Sequence, residues 1–260
     1  MVYRRDFRRK QRQTGFFSKW SVTHLIIFVN VFIFIILNII SFANPFIVNY
    51  VALLPSALLH GQNVWTLITS IFAHLSFTHL FFNMFTLFFM GSLCERIIGR
   101  KRFIWFYLIA GTFGGLFFVG FAYLGQYFSG GNFLFGSIDI PGLGASGAIF
   151  GLIGLLASLL PRKKVYLIVG PLLIIILQFI IGSFVSENIG NVINIASTIL
   201  IFLMILSMFS PNSFFRKVAM PLSLSFWVAP IIAILPLMFI SYVIGLKGLT
   251  LPIGNMAHFG

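Results

Sequence analysis

Apolar positions run in long blocks along this chain rather than alternating with polar ones. Such blocks lie near 21–42, 71–93, 103–124, 145–160, 165–184, 188–209 and 220–245. A helix needs about 20 apolar residues to cross the hydrocarbon core of a bilayer. Only the fourth block is short. An eighth begins near Leu251 and stops with the chain at Gly260, so the last helix is expected to be truncated. The pattern predicts an all-α fold: a polytopic bundle of transmembrane helices in one membrane domain.

The polar breaks between blocks give an orientation. Basic residues gather before the first block, between the second and third (Arg96, Arg100, Lys101, Arg102), after the fourth (Arg162, Lys163, Lys164) and after the sixth (Arg216, Lys217). The other breaks carry only Lys247. Cytoplasmic loops are the basic ones, so residues 1–20 are expected to form a cytoplasmic tail. Loops 43–65, 125–144 and 246–252 and the turn at Glu187 then face outward. Loop 43–65 is long, apolar in part and holds Pro45 and Pro55, which suits a segment in the outer interface.

Composition narrows the chemistry. The chain is 59% hydrophobic and 8% charged, against about 25% charged in soluble domains. Its formal charge of +13 sits in the tail and in alternate loops, which fits a membrane surface and not nucleic acid. The acidic residues are Asp6, Glu95, Asp139 and Glu187, too few for most carboxylate chemistry. A lone cysteine, Cys94, excludes an intrachain disulfide and a multi-cysteine metal site. No cofactor and no metal is expected.

Polar groups inside membrane spans are costly and point to function. One cluster runs from His74 through His79 to Asn83, the other from Gly142 and Gly144 to Ser146 and Gly147; His258 lies within the last three residues. His79 and Asn83, four apart, share one helix face. His79 precedes Glu95, and Ser146 precedes Arg162, by the same number of residues. At 1.5 Å per residue both lie about 24 Å above the inner boundary. His258 enters from the outer side, so the three groups can meet in one outward-facing cavity. A serine hydroxyl needs a base, and imidazole is suited to that. His79, Asn83 and the Ser146 N–H are candidate oxyanion donors. With no carboxylate in these clusters, a Ser-His dyad is favoured over a triad. His74 and His79, read as five apart on one helix, point about 140° away from each other and make a poor metal pair. Gly147, Gly151 and Gly154 form a small-residue stripe for close helix contact. His24 and His60 are expected at interfaces, and Asp139 in the outer loop.

The motifs together resemble the rhomboid intramembrane serine proteases. The resemblance rests on Trp65-Thr-Leu-Ile-Thr-Ser-Ile-Phe-Ala-His74 with His79 and Asn83, on Glu95-Arg-Ile-Ile-Gly99, on Gly144-Ala-Ser-Gly-Ala-Ile-Phe-Gly151, and on Ala257-His258-Phe-Gly260. It implies a six-helix core, Ser146 as nucleophile, His258 as base, and His79 and Asn83 at the oxyanion. It also implies that Phe150 packs on the catalytic imidazole and that His74 helps organise the outer loop and cavity. Substrates would be transmembrane segments of other proteins in the bilayer. Thr66 stands where the family often has Arg, which leaves open what anchors loop 43–65. Residues 165–209 read as an inserted transmembrane hairpin within a protease domain spanning 21–260. The cell membrane is the expected location. An inactive rhomboid-like protein that binds or chaperones membrane clients is the alternative. A transporter or channel, which would favour buried charges at the membrane centre, is disfavoured.

Overall fold

The computed structural model describes residues 21–128, 135–182, 185–210, 212, 217, 220–228 and 231. The chain opens with α1 (Val22–Ala43), capped by the Ser21 side chain, which accepts from the His24 N–H. A 3₁₀ turn (Pro45–Ile47), α2 (Val48–Val51), α3 (Pro55–Leu59) and α4 (Thr66–Thr69) then lead through a second 3₁₀ turn (Ser70–Phe72) to the next span. That span is composite: α5 (Phe77–Thr86), a π turn (Leu87–Gly91) and α6 (Ser92–Ile98). Next come α7 (Arg100–Gly125), α8 (Ser146–Leu159), strand β1 (Lys164–Ile168), α9 (Val169–Gly182), α10 (Glu187–Ser207) and strand β2 (Pro221–Ser225).

Among the described residues, four helices are long and apolar enough to cross a membrane: 22–43, 77–98, 100–125 and 188–207. Only 17% of the α1 span is buried within the protein. Phe28, Phe32 and Ile39 stand exposed on it, an outward apolar surface of the kind that faces lipid. The chain is a multi-pass integral membrane protein.

The core forms where α5, α6, α7 and α8 meet. Leu87, Cys94, Phe103, Tyr107, Ala148, Leu152 and Leu156 are fully buried there. Close approach of α7 and α8 needs small residues: a Cβ on Gly151 would lie 2.5 Å from the Ala110 Cβ. The expected glycine stripe is therefore split. Gly151 faces α7, whereas a Cβ on Gly154 would have no neighbour within 4 Å.

Glu95 ties the far end of the second span to the start of α1. Its carboxylate accepts from the Val22 N–H (2.8 Å), the Thr23 N–H (2.9 Å) and the Thr23 hydroxyl (2.7 Å). Arg100 stands 3.5 Å away. The first N–H groups of a helix have no intrahelical acceptor, so Glu95 caps α1 from another helix. The π turn contributes to this. Its one-residue excess rotates everything beyond it by about 100° relative to an unbroken helix, and that rotation sets where Glu95 points.

Three boundaries differ from the sequence pattern. The second span starts at Phe77, not 71, because 70–72 form a 3₁₀ turn and Ala73 is extended before the Ser76 cap. The fifth block starts as a strand: Lys164–Ile168 pairs antiparallel with Pro221–Ser225, so its helix begins at Val169. The same pairing makes the start of the seventh block a strand. A continuous run of Val, Tyr, Leu and Ile suits a strand as well as a helix. Helices α9 and α10 pack on each other, and the Gln178 amide donates to the Asn194 side chain between them.

Candidate active site

The site is assembled from one loop and two helix starts. Loop 43–65 is anchored without an arginine: the Trp65 indole donates to the Tyr50 carbonyl (2.9 Å) and the Thr69 hydroxyl to the Val51 carbonyl (3.0 Å). Thr66 is buried and its hydroxyl caps back onto the Asn63 carbonyl (2.6 Å). The loop in turn holds the segment that enters α8. Leu53 and Gly142 exchange both backbone hydrogen bonds at 2.8 Å, and Ser56 N–H donates to the Ile138 carbonyl at 2.9 Å. The Gly144 N–H donates to the Ser70 carbonyl at 2.8 Å.

This clamp delivers Gly144 against the two polar residues of α5. Gly144 has φ +124°, and a Cβ there would lie 2.6 Å from His79 Cε1, 2.7 Å from His79 Nε2 and 3.4 Å from Asn83 Nδ2. Only glycine lets the chain pass so close to that imidazole. Two residues later Ser146 opens α8, buried at 9% exposure. The first intrahelical bond of α8 runs from the Ile149 N–H to the Ala145 carbonyl. The N–H groups of Ser146, Gly147 and Ala148 therefore belong to the helix's first turn, with no intrahelical acceptor. The helix dipole adds positive potential at the same place. A helix start of this kind favours negative charge.

His79 and Asn83 are one turn apart on α5, near its start, and Asn83 is buried. The Ser76 hydroxyl accepts from the His79 N–H (3.2 Å) and fixes that start. His74 lies ahead of the helix in an extended stretch, fully buried. Its ring is 4.9 Å from that of His79, nearly edge to face. The expectation that the two histidines point about 140° apart on one helix is thereby corrected, since only His79 is helical. Among the described residues no cluster of three or more metal-ligating side chains occurs. His74 Nε2 lies 3.0 Å from Asn83 Nδ2 and accepts from the Ala145 N–H at 3.4 Å. Phe150 is one turn beyond Ser146 on α8 and half-buried. His24, His60 and Asp139 are exposed. His258, expected as the base, lies outside the described residues.

Of the residues named from the sequence, His74, His79, Asn83 and Gly144 lie against one another, and Ser146 follows Gly144 by two positions. Sequence reasoning missed the backbone clamps at Leu53 and Ser70. No side-chain signal marks them, because the groups involved are main-chain amides and carbonyls.

Comparison with known proteins gives the context. The family model of the rhomboid domain matches residues 61–209, a stretch that includes the α9–α10 pair. The chain is 32% identical over 197 residues to rhomboid protease GluP of Bacillus subtilis, covering 74% of this chain and 36% of that protein. It is 33% identical over 106 residues to mitochondrial rhomboid protein 1 of Saccharomyces cerevisiae, covering 41% and 28%. It is 31% identical over 107 residues to inactive RHOMBOID-like protein 8 of Arabidopsis thaliana, covering 41% and 26%. The chain thus spans between 26% and 36% of the length of these three relatives.

Proposed function

This chain belongs to the rhomboid family, and from that premise we propose that it is a serine endopeptidase that cleaves transmembrane segments of other membrane proteins. The observation that carries the reading is the approach of Gly144 to His79 and Asn83 immediately before Ser146 opens α8. A buried serine at a helix start, two residues beyond a glycine packed on an imidazole and an amide, supports oxyanion chemistry at this place.

In the proposed reaction His258 takes the Ser146 proton as Oγ attacks the scissile carbonyl. His79, Asn83 and the Ser146 N–H hold the oxyanion. The imidazolium then protonates the leaving amine, and water releases the acyl group by the reverse sequence. Phe150 would pack on the His258 ring. The domain runs over 21–260, with a cytoplasmic tail at 1–20 and an added hairpin at 165–209. The basic ends of α6 and α8 face the cytoplasm, so the site opens outward, and the cell membrane is the proposed location. Substrates meet the enzyme in the bilayer.

The test is cleavage of a model transmembrane substrate in liposomes by the full chain and by Ser146→Ala, matched for expression. Loss of cleavage in the variant is expected, and equal cleavage by both removes Ser146 from the mechanism. The similarity to a relative named inactive supports a second reading, a client-binding rhomboid without catalysis. Under it, the wild type would retain a transmembrane partner in detergent and never cut it.

A further inference from the structure

His74 has no step in the reaction proposed above, yet it is the most completely buried polar side chain of the cluster. Two groups converge on one of its ring nitrogens. The Ala145 N–H, which can only donate, points at Nε2 from 3.4 Å. The Asn83 Nδ2 lies 3.0 Å from the same atom. An atom that accepts from a main-chain N–H carries no proton of its own. Nε2 is therefore bare, and in the neutral ring the proton is on Nδ1. A bare Nε2 also decides the orientation of the Asn83 amide: its NH₂, and not its oxygen, must turn toward His74.

We infer that His74 is a positioning residue: as a neutral imidazole with a bare Nε2 it fixes the Asn83 amide and the backbone at Ala145 together, so that Asn83 presents its second N–H to the oxyanion. The inference rests on the proposed protease reading and adds to it the device that aims one of its donors. An Asn amide has two N–H groups and can rotate end for end at little cost in isolation. If its oxygen faced the reacting carbonyl, it would repel the charge it is meant to hold. His74 removes that alternative, because the flipped amide would set oxygen against the lone pair of Nε2. The same nitrogen ties the residue immediately before Ser146 to the start of the second span. His74 thus adds a side-chain tie between nucleophile and donor to the backbone clamps at Ser70 and Leu53. The His79 ring, 4.9 Å from that of His74, packs over the cluster and over Gly144.

Two measurements on the full chain in liposomes test this. The first is nitrogen-15 NMR of histidine-labelled protein at neutral pH, with His74 assigned by its loss in His74→Gln. A bare Nε2 and a protonated Nδ1 are expected; a protonated Nε2 overturns the inference. This reading needs no activity, so it stands apart from the fate of the protease proposal, which fluorophosphonate labelling of Ser146 decides. The second is kinetic. His74→Leu removes the acceptor and is expected to lower kcat by about 10²–10³, the loss typical of one oxyanion donor, with KM unchanged. His74→Gln supplies a neutral acceptor at similar reach and is expected to recover most of that loss. Adding Asn83→Ala to His74→Leu should cost little more, because the donor is already misdirected. Fully additive losses, or no recovery with glutamine, would show that His74 serves the fold and not the amide.

Discussion

Replacing Gly144 with alanine tests how the site is built, because one methyl group meets two separate obstacles. The first is backbone strain. At φ +124° an L residue is outside its allowed regions, at a cost of about 1–3 kcal/mol. The second is steric. The new Cβ would lie 2.6 and 2.7 Å from two atoms of the His79 ring, and ordinary contact begins near 3.4 Å. The ring or the loop must therefore give by about 0.8 Å. Both sides are held: the loop by the Gly144–Ser70 and Gly142–Leu53 hydrogen bonds, the histidine by its place on α5. A misplacement of about 1 Å in a reacting geometry can cost about 10²-fold in rate. The expectation for Gly144→Ala is a fall in kcat/KM of about that size together with destabilisation of roughly 1–3 kcal/mol. The assay is cleavage of a fluorogenic transmembrane substrate in liposomes beside thermal unfolding in detergent. Gly154→Ala is the matched control, since its Cβ meets nothing within 4 Å and a mid-helix Gly→Ala change gains roughly 0.5–1 kcal/mol. If Gly144→Ala matched the wild type in both rate and stability, the close approach of loop and His79 would not be the basis of the site.

Further expectations concern the frame around it. Glu95→Ala strands the part-buried Val22 N–H and the buried Thr23 N–H, and a buried donor so left costs roughly 1–3 kcal/mol. Thermal unfolding should register that loss, with Glu95→Gln losing less because it keeps an acceptor oxygen. Deleting Phe89 should convert the π turn to α-helix and swing Glu95 by about 100° away from α1. The deletion should then lower the melting temperature about as far as Glu95→Ala does, and a deletion that left stability intact would contradict the role given to the turn. Accessibility tags after Arg162 and after Arg216 should be reached only from the cytoplasm, and a tag beside Glu187 only from outside. An external signal at Arg216 would break the hairpin at 165–209 and the outward entry of His258.

Hydropathy located helices α1, α7 and α10 within a few residues, because lipid contact imposes long apolar blocks there and little else competes. It misplaced the start of the second span. Residues 71–76 are as apolar as the helix they precede, but their backbone turns and then extends. The mark of the true start was Ser76, whose hydroxyl caps His79. Hydropathy also could not distinguish β1 from a helix, since strand pairing depends on a partner more than 50 residues away. The π turn leaves no compositional trace. At the site, the residue types and their order named His79, Asn83, Gly144 and Ser146. Their contacts depend on the extended stretch at His74 and the backbone clamps at Leu53 and Ser70, which spacing along an assumed helix cannot reveal. The anchor of loop 43–65 was hidden for the same reason, because Trp65 and Thr69 act on main-chain carbonyls.

The central claim is that Ser146 is a nucleophile activated by His258. A fluorophosphonate probe, followed by mass spectrometry of the modified peptide, tests it most directly. The wild type should carry the phosphonyl adduct on Ser146 alone, and His258→Ala should react far more slowly while keeping its melting temperature. An adduct on a different residue, or labelling of Ser146 at an unchanged rate in His258→Ala, would contradict the account.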